Sequence, residues 1–96
     1  METNKIVLDF PNVLKRITGN EYGYSIYKTQ VYPKIDRNKK NEIYFPDNIT
    51  GISISFIQGL MGDELIKYGK ERIFDYFDFI SGNADVQQSI IESIKF

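Results

Sequence analysis

Two hydroxyls stand two residues apart where an apolar run turns helical. In GISISFIQGLMGDEL, residues 51–65, Ser53 and Ser55 alternate with isoleucines, and Gly51, Gly59 and Gly62 punctuate the segment. A serine at a helix start has a ready use: its Oγ accepts a hydrogen bond from an orphan backbone N–H as an N-cap. Glycine inside a helix costs up to ~1 kcal/mol relative to alanine. Gly59 and Gly62 therefore imply close approach to the backbone, either by the sheet beneath or by a partner.

The rest of the chain offers little for catalysis. It contains neither His nor Cys, which removes the usual general base near neutral pH, the usual zinc ligands and any disulfide. The glycines of GISISFIQG are eight residues apart and no Lys follows, so the segment is not a phosphate loop. Asp63 and Glu64 are adjacent, project ~100° apart on a helix, and are expected on a solvated helix surface. Asp75 and Asp78 flank a strand without a third ligand for a metal. The reading is non-enzymatic, with no cofactor and no metal.

Ninety-six residues make one domain, spanning 1–96. Seven Phe and seven Tyr support a single core, since each buried ring removes a large apolar surface from water. The tyrosines are expected in core and rim packing, because base stacking needs interleaved basic residues. Net charge is −1; residues 1–48 carry 8 Lys/Arg against 6 Asp/Glu, and residues 49–96 carry 4 against 7. That balance disfavours nucleic acid, which asks for a basic face. Lys34, Arg37, Lys39 and Lys40 are expected at a solvated helix end. No apolar stretch approaches the ~18 residues that span a membrane, and METNKIVLDF lacks a signal-peptide core. A cytoplasmic protein is expected.

The elements that must position Ser53 and Ser55 follow from periodicity. KIVLDF, residues 5–10, reads as a strand ended by Pro11, and VLKRIT, 13–18, as a second short strand or an extended return. TGNEYG, 18–23, reads as a turn. Residues 24–37 carry Tyr27, Val31 and Ile35 at helical spacing, with Pro33 predicting a bend or loose last turn. EIYFP, 42–46, is a strand and DNITGI a loop. A helix runs from about Ser55, capped by Ser53 or Ser55 and closed at Gly69 as C′. YFDFI, 76–80, is a strand, and Val86, Ile90 and Ile94 mark a last helix capped by Asn83 or Asp85. Alternating strands and helices imply an α/β domain with a mixed, largely parallel sheet of about four strands and about three main helices.

Three stretches together resemble the STAS-like domain family of unassigned function, a short bacterial family related to sulfate-transporter and anti-sigma-factor-antagonist domains. RITGNEYGYSIY, 16–27, looks like that family's arginine and a G-x-x-S-G-x-x-F pattern, with Arg16, Gly19, Gly23 and Ile26 in the matching places. GISISFIQGLMG, 51–62, is similar to its glycine, serine-serine-phenylalanine and F-G-G run, with Ser55, Phe56 and Gly62 matching. SGNADVQQSIIESI, 81–94, resembles its closing helix. The resemblance covers about 80 residues.

It implies a regulatory module whose serine at the start of this helix is phosphorylated by a histidine-kinase-like ATPase, with Ser55 in that position and Ser53 next in line. This chain has Ile54 before Ser55 and bulky Phe56 after it, and Phe56 is expected in the core. A protein partner would grip Ser53–Gly62, including Gly59, with Arg16, Gly51 and the Gly19–Gly23 turn beside it. A homodimer stays open. The competing reading is a small-ligand or nucleotide site in which Arg16 and the amides of 53–55 cradle an anion.

Overall fold

The computed structural model describes residues 2–95. Its elements, in chain order, are β1 (Thr3–Val7), β2 (Arg16–Ile17), α1 (Asn20–Ile26), β3 (Lys40–Phe45), β4 (Gly51–Ile52), α2 (Ile54–Tyr76), β5 (Phe77–Ser81) and α3 (Ala84–Lys95). A π-helical turn, Tyr27–Val31, and a 3-10 turn, Tyr32–Lys34, continue α1. The domain is α/β with parallel strands throughout. β1, β3 and β5 form one sheet in that order, and β2 pairs with β4 in a second, two-residue sheet. The short β2–β4 ladder takes the place of the loop expected at 51–52. Two residues are too few for any periodicity to announce.

Alternation along the strands sets which face is covered. Ile6, Asn41, Ile43, Phe45, Phe77 and Phe79 are buried beneath the helices, together with Phe56, Ile57, Leu60, Met61, Ile90 and Ile94. The opposite face carries Lys5, Val7, Glu42, Tyr44, Asp78 and Ile80 and is partly or fully exposed. A parallel sheet is usually covered on both faces. Here the bare face is matched within itself: Lys40 Nζ lies 3.4 Å from Asp78, and Thr3 donates to Glu42 at 3.0 Å. Two glutamines occupy the edges. Gln30 accepts from the Asp9 N–H at 2.7 Å and donates to its carbonyl at 2.8 Å. Gln87 accepts from the Ser81 N–H at 2.7 Å and donates to the Phe79 carbonyl. Gln87 thus stands in for a neighbouring strand along β5 and blunts a template for aggregation, whereas Gln30 pairs with the backbone just past β1.

α1 begins at Asn20, four residues before the predicted helix, and takes in the last four residues of the predicted turn. Gly19, at φ 99°, makes the turn, and its carbonyl accepts from Gly23 N–H at 3.0 Å. Pro33 has the expected effect: the helix widens to a π turn and then tightens into the 3-10 turn. α2 breaks at Gly69 (φ 78°) and resumes as far as Tyr76. Among the described residues no helix is long and apolar enough to cross a membrane.

Candidate functional site at the entry to α2

Ser53 adopts φ −90° and ψ 155°, the extended geometry of an N-cap, and its Oγ accepts from the Phe56 N–H at 3.0 Å. It is held from behind as well. Its own N–H donates to the Ile17 carbonyl at 3.0 Å, and the Gly19 N–H points at its Oγ from 3.4 Å. Ser53 therefore knots the β2–α1 turn to the start of α2. Ser55 Oγ lies 3.0 Å from Ser53 Oγ and is half-buried. Between them Ile54 is 61% exposed. Phe56 is fully buried and packs edge-on against Phe10 and Tyr22 at centroid distances of 6.0 and 5.7 Å. The first turn of α2 is thus anchored by a ring on its inner side and open on its outer side.

Arg16 pairs in register with Gly51, and its side chain lies flat over that glycine. A Cβ on Gly51 would come within 2.8 Å of Arg16 Nη1 and 3.0 Å of its Cγ. The exposed guanidinium makes no hydrogen bond or ion pair among the described residues. Arg16, Gly19, Gly51, Ser53 and Ser55 are therefore brought to one corner. A cleft of about 540 Å³ opens beside it, lined by Ile52, Ile54, Gln58, Leu65, Ser89 and Ile94 among others.

Gly23 and Gly59 do not belong to an accessible partner surface. Both are buried where α1 crosses α2 backbone to backbone. A Cβ on Gly23 would collide with the Phe56 carbonyl, and one on Gly59 with the Asn20 carbonyl. Gly62 differs: it is half-buried and a Cβ there would meet nothing within 4 Å.

Sequence reasoning missed a second polar centre. Glu64, expected on a solvated surface, is 2% exposed. Arg37 grips it with two hydrogen bonds, of 2.5 and 3.0 Å, and the buried Tyr27 hydroxyl donates to it. Burial alone would raise its pKa; the hydrogen bonds from Arg37 and Tyr27 outweigh that and hold it below the ordinary carboxylate range. The Tyr27 phenol is pushed up, first by burial and then by its bond to Glu64. The expected solvated cation cluster is likewise dispersed: besides Arg37, Lys39 reaches Glu2 at 3.3 Å and Lys40 reaches Asp78. Partners 27 residues apart or more leave no local pattern, so only the adjacent Asp63–Glu64 pair hinted at this centre. Among the described residues no group of three or more acidic side chains is placed to hold a metal.

Comparison of the chain with family models, with curated proteins and with solved structures returns no match.

Proposed function

We propose that this chain is a non-catalytic regulatory module of the STAS-like kind, acting in the cytoplasm and docking a protein partner at the entry to α2. The observation that carries the reading is the division of labour between the two serines. Ser53 is committed to capping, whereas Ser55, among the described residues, has only the Ser53 hydroxyl as a hydrogen-bond partner and sits beside exposed Ile54. A histidine-kinase-like ATPase would transfer the γ-phosphoryl group of ATP to Ser55 Oγ, releasing ADP, with the serine proton passing to a base on that partner. First-turn amides and the helix dipole favour the dianion, and Arg16 supplies a cation at the same corner. The charge beside Ile54 would weaken an apolar contact and release the partner.

Intact-mass measurement after incubation with such an ATPase and ATP tests this. The expected result is a gain of one phosphoryl group, abolished in Ser55→Ala and retained in Ser53→Ala, with Ser55→Asp weakening partner binding. No mass gain together with unchanged binding of Ser55→Asp removes the switch. The cleft beside Ile54, and Arg16 without a partner among the described residues, favour a second reading, a small-ligand or nucleotide site. A rise in melting temperature with a nucleotide would support it, through binding to the native state alone.

A further inference from the structure

A groove on the other flank of α2, independent of the α2 entry, is walled mainly by three tyrosines. Tyr24, Tyr27, Lys28 and Tyr32 line it from α1 and the turns that follow; Asp63 closes it from α2, around a volume of about 260 Å³. Tyr27 is the floor, 4% exposed and fixed by its bond to Glu64. Tyr24 stacks against it at 6.2 Å with planes 24° apart, and Tyr32 leans on it at 5.8 Å and 58°. These two walls are 42% and 59% exposed, and neither hydroxyl makes a hydrogen bond among the described residues.

The π turn is what brings the third ring in. In a regular α-helix a residue five positions on lies ~140° around the axis, so Tyr32 would face away from Tyr27. Here the Tyr32 N–H bonds the Tyr27 carbonyl, five residues back, and Tyr32 comes to lie over Tyr27. Such insertions are frequent at functional sites. Two large rings are left in water on a floor locked by an ion pair, an arrangement that core packing does not require.

The geometry points to a groove for a proline-rich segment in the polyproline II conformation, carried by a partner polypeptide. Polyproline II leaves its carbonyls unpaired, and the free Tyr24 and Tyr32 hydroxyls are donors for them. Proline rings seat between aromatic walls, the mode by which such segments are generally recognised. The lip charges, Lys28 and Asp63, are opposite in sign, which suits a neutral rod and not a polyanion. Lys28 Nζ already lies 5.6 Å from the Tyr24 ring centre, so Asp63 is the carboxylate left to read a basic residue at one end of the segment.

Fluorescence anisotropy with a labelled ten-residue polyproline peptide bearing one terminal arginine tests the inference. A glycine–serine peptide with the same arginine, and a mononucleotide as competitor, are the controls. Saturable binding below ~1 mM is expected, weakened about tenfold in Tyr24→Ala and in Tyr32→Ala. Tyr32→Phe should lose part of that affinity with an unchanged melting temperature. Asp63→Asn should weaken the arginine peptide and leave arginine-free polyproline unaffected. Equal binding of the glycine–serine peptide, displacement by the nucleotide, or full affinity in folded Tyr24→Ala and Tyr32→Ala variants would overturn it.

Discussion

The two polar centres of this domain resemble each other in composition and differ in closure. Around Glu64 the carboxylate, the Tyr27 hydroxyl and the Arg37 guanidinium satisfy one another under α1 and α2, and Arg37 also donates to Tyr68 at 3.1 Å. At the α2 entry the hydroxyls are only half-buried, one of them is spent on the cap, and the nearby arginine has no partner among the described residues. A buried polar group must be matched or it destabilises the fold. A half-buried one near water keeps valence for something that arrives later. The difference teaches where to look: the closed centre is satisfied within the fold, and the open corner is where the proposed docking is to be tested.

Removing Glu64 should produce the largest effect. Glu64→Ala leaves the Tyr27 hydroxyl and part of the Arg37 guanidinium without a partner, and a loss of about 3 kcal/mol is expected from urea unfolding. The same group sets an acid limb. Its folded pKa lies below its unfolded value, so its contribution is present above about pH 4.3 and disappears as pH falls through the folded pKa. Wild type should lose stability over that range more steeply than Glu64→Ala. A parallel pH profile in the two proteins would erase the distinction between the closed and the open centre.

Gly59→Ala comes next. Its Cβ would drive α1 from α2, at about 1–3 kcal/mol for overpacking, readable as a lower melting temperature. Ser53→Ala should cost about 1 kcal/mol, the value of a lost N-cap, by the same urea assay. If it cost more than Glu64→Ala, the corner would be structural and the comparison would invert. Gly62→Ala is the smallest and has the opposite sign: with nothing within 4 Å of its Cβ, a gain of up to about 1 kcal/mol is expected. A gain in stability accompanied by weaker partner binding would place Gly62 on the docking surface.

Legibility followed the range of the interaction. Ser53 as N-cap, Gly69 as the helix break, Asn83 accepting from the N–H groups of Asp85 and Val86, and the disturbance at Pro33 are events within a few residues and could be foreseen. The start of α1 at Asn20 was not foreseen, because it depends on the left-handed turn at Gly19 and on the tie from its N–H to Ser53. The same glycine signal had two outcomes. Gly59 is consumed by a helix crossing and Gly62 is left open, which spacing alone does not separate.

What the amino-acid order determined by itself is the succession of parallel strands and helices, the buried apolar stripe of each, and the serine cap at the entry to α2. These rest on hydrophobic period and on hydrogen bonds between near neighbours. Tertiary structure alone decided that Glu64 is buried and held by Arg37, that Ser55 keeps its valence while Ser53 does not, and that Tyr32 stands over Tyr27. Each of these needs groups from separate elements to meet, or one turn of helix to open by a residue, and neither event leaves a periodic trace in the chain.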